Sequence, residues 1–191
     1  MIKTKTFDLL DAEYTREVVD YLSLDDKLRY KNSEESFILD PNYWEKYHRI
    51  IESYKCNFNW NEFKFDSRPD LNTLITSTDI GVYMFIIKPP NRIYGLPSYV
   101  IYVGISGEKG SNRPLRDRLA DYLNYNNIKK RRKLHRLLSK YYGEAYVAYS
   151  LVSIKWQDLE SVEKALHGFF MPIANDRDFP VEIKSIKKSF S

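Results

Sequence analysis

Apolar positions recur along the chain at two different spacings, and the spacing changes near residue 79. Before that point the intervals are helical. Tyr14 to Leu22 carries spaced apolar residues, and Pro41 to Tyr54 repeats Tyr43, Trp44, Tyr47, Ile50, Ile51 and Tyr54 on one predicted face. Asp66 to Asp70, around Ser67-Arg68-Pro69, is the expected boundary, because proline restricts its own backbone and that of the preceding residue. Residues 1–78 are therefore read as a mainly helical N-terminal accessory segment, and residues 79–191 as the principal domain.

After Asp79 the pattern turns to strands. GVYMFIIK, Gly81 to Lys88, is β-branched and aromatic; PPNRIYGLP supplies turn chemistry; and SYVIYVGI, Ser98 to Ile105, is a second such run, which predicts a hairpin. Pro114 suits a first helical turn, and Leu115, Leu119, Tyr122 and Leu123 make an apolar stripe behind it. A very basic helix is expected over about Ile128 to Tyr142, and a third strand over Glu144 to Ser153. Asp158 can cap a last helix whose Leu159, Val162, Leu166, Phe169 and Phe170 face inward. The order β-β-α-α-β-α predicts an α/β (α+β) domain: a small mixed or antiparallel three-stranded sheet flanked by helices.

Composition narrows the class. The chain has 191 residues, 43% hydrophobic and 29% charged, which is enough apolar material for a core and excludes wholesale disorder. Apolar runs fall far below the roughly 18 residues that span a bilayer, so no membrane partner is expected. MIKTKTFDLLDAEY has no apolar stretch of the secretory kind. The single cysteine, Cys56, forms no internal disulfide, and a cytoplasmic protein is the expectation. The net charge of +4 conceals an asymmetry: residues 1–78 hold 11 basic and 15 acidic side chains, and residues 79–191 hold 19 and 11. A polyanion would be drawn to the second part.

Several side chains break the pattern. Glu163 has Leu159, Leu166 and Phe170 at i−4, i+3 and i+7, so it lies along an apolar stripe, where a carboxylate needs a cation, a metal or several donors. The alternative is a stripe-edge position with the head in solvent, or a structural ion pair. Glu160, four residues before Lys164, reads as an ordinary surface acid. Arg118 lies between Leu115 and Tyr122 on its helix and suits bidentate phosphate binding, or else a salt bridge. Arg116 falls on the opposite side. Tyr83 and Tyr102 each stand two residues from a glycine, in Gly81-Val82-Tyr83 and Tyr102-Val103-Gly104, and glycine in a strand marks a bulge or a close approach. Lys129, Lys130, Arg131, Arg132, Lys133, Arg136 and Lys140 form the densest basic stretch, suited to DNA backbone or to a solvated helix face. His167, four residues after Glu163, could make a metal pair with it. Cys56 and His48 belong to no motif.

Taken together, Gly81-Val82-Tyr83, Tyr102-Val103-Gly104, Leu115-Arg116-Asp117-Arg118-Leu119 with Tyr122, and Glu163 followed by Pro172 and Asn175 resemble the GIY-YIG nuclease superfamily over about residues 79–177. The resemblance implies a metal-dependent DNA endonuclease using one Mg²⁺ (or Mn²⁺), with 5′-phosphate and 3′-hydroxyl products. It implies Glu163 as metal ligand, Arg118 on the scissile phosphate, Tyr83 and Tyr102 positioning or activating water, and Asn175 in support. Tyr83 is the tyrosine expected to act as base, provided a neighbouring cation favours its phenolate. Departures exist. The tyrosines are nineteen residues apart, a loop from Gly107 to Pro114 precedes the arginine helix, and Ile105 follows the glycine where many members have lysine. Lys109 is the expected substitute, and Tyr122 stands where some restriction-type members have histidine. DNA is the expected partner of Lys109 and of the basic stretch. A catalytically inactive nucleic-acid-binding module of the same fold is the alternative. For residues 1–78, scaffolding, formation of a homodimer and local DNA contact all remain open.

Overall fold

The computed structural model describes residues 40–189 apart from 68, 77, 90–97, 142 and 178. The helix expected at 14–22 and most of the PPNRIYGLP turn lie outside these residues. In chain order the elements are α1 (Pro41–Ser53), β1 (Asn61–Lys64), α2 (Leu71–Leu74), β2 (Gly81–Ile87), β3 (Tyr99–Ile105), α3 (Leu115–Tyr122), α4 (Tyr125–Ile128), α5 (Arg132–Lys140), β4 (Ala145–Leu151), α6 (Trp156–Phe170) and α7 (Val181–Ser189).

The fold is α+β, built on one antiparallel sheet ordered β1-β4-β2-β3. Three of the four strands are the expected ones. The fourth, β1, comes from residues assigned to the accessory segment and pairs with β4, Phe63 opposite Val147. Only four residues long, with two of them exposed, β1 has too little alternation to be read as a strand. Two other expectations are corrected. The basic helix is shorter than expected: α5 begins only at Arg132, and α4 before it ends at Ile128, so Lys129, Lys130 and Arg131 lie between two helices. Helix α6 begins at Trp156 behind Lys155, so Asp158 sits in its first turn, where its charge complements the helix dipole without capping it.

Period-two alternation sends successive residues of β2 to opposite faces. Tyr83, Phe85 and Ile87 join Ile101, Leu115, Leu119, Tyr122 and Leu134 in one core. Val82, Met84 and Ile86 join Val103, Leu159, Val162 and Leu166 in the other. Helices α3 and α5 thus cover one face and α6 the other, and α1 and α7 pack on α6 through Tyr47, Ala165 and Ile183. With both faces covered, β2 is buried throughout. Strand β3 is an outer strand, and the segment after α6 closes part of its edge: Ala174 N–H donates to the Ile101 carbonyl at 2.8 Å.

Candidate active site

Strand pairing explains the two motif glycines. Tyr83 lies directly across from Gly104. A Cβ on Gly104 would come within 2.4 Å of the Tyr83 hydroxyl, and one on Gly81 within 2.4 Å of the Ser150 carbonyl oxygen. Each glycine therefore makes room, one for a tyrosine and the other for the neighbouring strand.

The tyrosines form a hydrogen-bonded cluster beneath α3. Leu115, Leu119 and Tyr122 turn to the core at i, i+4 and i+7, which leaves Arg118 beside that stripe. Tyr83 Oη lies 2.6 Å from Tyr122 Oη. Arg118 Nε donates to Tyr83 Oη at 3.2 Å, and Tyr122 donates to Tyr102 Oη at 3.2 Å. Arg131 Nη1 also donates to Tyr102 Oη, at 2.8 Å. The rings lie between 5.4 and 6.2 Å apart. Tyr83 is 0% exposed. Burial, then Tyr102, pushes its phenol far above the usual tyrosine range despite the opposing pull of Arg118. The Tyr122 phenol is raised in the same way. Tyr83 as the base that activates water therefore does not suit its place: its hydroxyl is sealed from solvent and its proton is held. Its hydroxyl is instead held between Arg118 and Tyr122.

Arg118 remains a strong cation. Burial works against its charge, and Tyr83, Tyr122 and Glu108 outweigh that loss. Its other arm forms an ion pair with Glu108, Nη2 to Oε1 at 3.2 Å. Glu108 stands in the loop that precedes α3, where Gly107, Lys109 and Gly110 all take left-handed conformations and fold the chain back toward the arginine. The second carboxylate oxygen of Glu108 is buried and has no hydrogen-bond partner. Gly/Ser/Asn loop composition gave no sign of this acid.

Tyr102, Arg118, Glu163 and Asn175 line one cleft of about 380 Å³, together with Glu108, Lys109 and Glu160. Four of the five expected site residues thus meet on one surface, and Tyr83 lies behind them. Glu163 is half-buried, on the face of α6 that borders the cleft. Glu160 is not the plain surface acid expected: it borders the same cleft and accepts the Lys109 backbone N–H at 2.9 Å.

Asn175 acts on the sheet edge. Its Oδ1 accepts from the Val103 N–H at 2.9 Å, and its Nδ2 donates to the Val103 carbonyl at 2.9 Å, so one side chain pairs both backbone groups of an outer-strand residue. Nδ2 also lies 3.0 Å from His167 Nε2. His167 is 1% exposed, with its ring against Phe179. Its Nε2 is engaged with Asn175, so the arrangement suits a supporting histidine better than a metal partner for Glu163.

A second cleft, of about 730 Å³, shares Tyr102 and Asn175 with the first. Lys130, Arg131, Arg132, Lys133 and Arg177 line it, with Asp176, which pairs with Lys133. Lys129 and Arg136, expected in the same nucleic-acid-binding group, border neither cleft, and Lys109 borders the first. Arg177 was missed because it is isolated in sequence.

Among the described residues no group of three or more His, Cys, Asp or Glu side chains is arranged to hold a metal ion. The cleft does offer hard carboxylate oxygens, including the buried Oε2 of Glu108 that lacks a partner, and such donors fit Mg²⁺ or Mn²⁺ with water completing the shell. No described helix is long and apolar enough to cross a membrane. Set against protein-family models, curated proteins and solved structures, the chain matches none of them.

Proposed function

We propose that this chain is a metal-dependent DNA endonuclease of GIY-YIG type. The observation that carries the reading is the convergence of Tyr102, Arg118 and Glu163 on one cleft that adjoins a basic cleft. In this reading a DNA strand lies along Lys130, Arg132, Lys133 and Arg177 and carries one phosphate past Tyr102 to Arg118. The Arg118 guanidinium binds that phosphate, exchanging Glu108 for it, and is fixed for the task by its bond to Tyr83. Glu163 would hold the divalent cation, with Glu108 as the nearest further carboxylate to Arg118. When bound, the cation supplies positive charge against the phosphate as negative charge builds there. Tyr102 positions the attacking water. The water oxygen bonds to phosphorus as the bond to the 3′ oxygen breaks; the attacking water gives up its proton to solvent, the departing 3′ oxygen takes one up, and the products are a 5′-phosphate and a 3′-hydroxyl.

The basic cleft, which would hold a strand whether or not it is cut, also suits a second reading, a nucleic-acid-binding module without cleavage. Incubating supercoiled plasmid with the protein and Mg²⁺ or Mn²⁺ separates the two. The nuclease reading predicts nicking that EDTA and Glu163→Ala both abolish, while gel-shift affinity survives the substitution. Binding by the wild-type protein without nicking would favour the module, and absence of both would remove DNA as the partner.

A further inference from the structure

Arg131 differs from its basic neighbours. Lys129, Lys130, Arg132 and Lys133 are exposed, as expected of charges that meet a polyanion from solvent, whereas Arg131 is half-buried. It stands at the N-terminal boundary of α5, and its backbone N–H bonds the Ile128 carbonyl at 2.9 Å. From there its side chain turns toward the tyrosines. Its guanidinium carbon lies 4.6 Å from the Tyr122 ring centre and 6.0 Å from that of Tyr102, within cation–π range of both. Nη1 donates to Tyr102 Oη at 2.8 Å, and Arg131 also borders the basic cleft.

The consequence lies in the Tyr102 hydroxyl. A phenol oxygen can accept two hydrogen bonds and donate one. Arg131 and Tyr122 fill both acceptor positions. The hydroxyl is thereby left with one proton to give, and Tyr102 borders both clefts. A planar fork with further N–H donors can hold the tyrosine and still face a phosphate, which a lone ammonium does less well. The cation bonded to Tyr102 thus comes from the boundary of α5, outside the hairpin that carries the tyrosine.

Resting on the nuclease reading, we propose that Arg131 is a positioning residue of the site, which fixes the donor direction of the Tyr102 hydroxyl and ties it to the basic cleft that holds the strand. It is more than one charge among seven. Its loss should lower the rate on bound DNA, whereas loss of Arg132 should weaken binding.

Single-turnover cleavage of a labelled oligonucleotide duplex at saturating protein tests this on the full chain with Mg²⁺, using Arg131→Met, which keeps an unbranched apolar stem and removes the guanidinium with its N–H donors. The rate should fall roughly 10- to 100-fold, the range for a lost charge-assisted hydrogen bond. Arg132→Ala should act on binding, with a salt slope reduced by about one, and should lower the rate on bound DNA far less than Arg131→Met does. Tyr102→Phe combined with Arg131→Met should be no slower than the slower single variant, because both remove one interaction. Arg131→Met cutting like Arg132→Ala, or independent losses that multiply in the double variant, would overturn the proposal while leaving the nuclease reading intact. Should Arg131→Met fail to fold by circular dichroism, the same cycle run with Arg131→Lys decides the question. No cleavage by the wild-type protein would remove the nuclease reading and this proposal together.

Discussion

Replacing Tyr83 with phenylalanine separates the structural role assigned to this tyrosine from a role as general base. The hydroxyl makes two contacts, 2.6 Å to Tyr122 Oη and 3.2 Å to Arg118 Nε, in a site with no solvent exposure. A neutral buried hydrogen bond contributes about 1 kcal/mol, and one to a charged group about 1.5–3 kcal/mol. Both partners keep a second contact, Tyr122 to Tyr102 and Arg118 to Glu108, so part of that loss is recovered. The expected destabilisation is about 2 kcal/mol, or about 1 M in the urea midpoint for a slope of about 2 kcal/mol/M. Cleavage should fall only about tenfold, through a less well seated Arg118. Urea unfolding followed by circular dichroism, paired with single-turnover cleavage, reads both quantities. A general base is worth roughly 10²- to 10⁴-fold in rate. A Tyr83→Phe protein as stable as wild type but slower by that factor would refute the reasoning and return Tyr83 to the reacting groups.

Other outcomes follow from the same contacts. Gly104→Ala puts a methyl group 2.4 Å from the Tyr83 hydroxyl, and urea unfolding should show a loss of about 1–3 kcal/mol. An unchanged midpoint would mean that Tyr83 is not packed against this glycine. Asn175→Ala leaves the Val103 N–H without its acceptor and the Val103 carbonyl with only His167 Nε2 at 3.3 Å, and should cost about 1–3 kcal/mol, with faster amide exchange at Val103. Alkaline pH supplies a third test. The phenols of Tyr83 and Tyr122 are raised above the ordinary tyrosine value by burial. Their contribution is therefore complete below about pH 10, where the unfolded chain begins to ionise, and is lost as pH rises toward the folded values. Stability should fall by about 1 kcal/mol for each of the two between pH 10 and 11. Tyr83→Phe should lessen that fall, and an equal fall in both proteins would contradict the sealed placement.

The parts of this fold that local pattern can carry were legible in the chain. Strands β2, β3 and β4, helix α3 and helix α6 follow from alternation and i, i+4, i+7 spacing, and their boundaries differ from expectation by only a residue or two at most ends. The same spacing put Arg118 beside its stripe and Glu163 beside another. Contacts that depend on which distant strand lies alongside were not legible. Strand β1 exists because β4 offers it an edge, not because Asn61-Glu62-Phe63-Lys64 alternates strongly. Asn175 pairs with Val103, seventy-two residues earlier, and no local rule assigns an asparagine to an outer-strand backbone. Glu108 meets Arg118 through a glycine loop whose path is set by left-handed residues. Tyr83 illustrates the same limit. Its motif marks it out, but only the burial of its hydroxyl distinguishes a residue that seats the site from one that reacts in it.

The central claim is that a phosphodiester sits where Arg118, Tyr102 and Glu163 converge. A crystal structure of the protein with a short DNA duplex and Ca²⁺, an ion chosen to occupy the site while cleavage is slow, measures that directly. The account predicts one backbone phosphate within hydrogen-bonding distance of Arg118, a cation between it and Glu163, and the strand continuing along Lys130, Arg132 and Arg177. A duplex bound elsewhere, with Arg118 still paired to Glu108 and no phosphate between the arginine and Glu163, would contradict it.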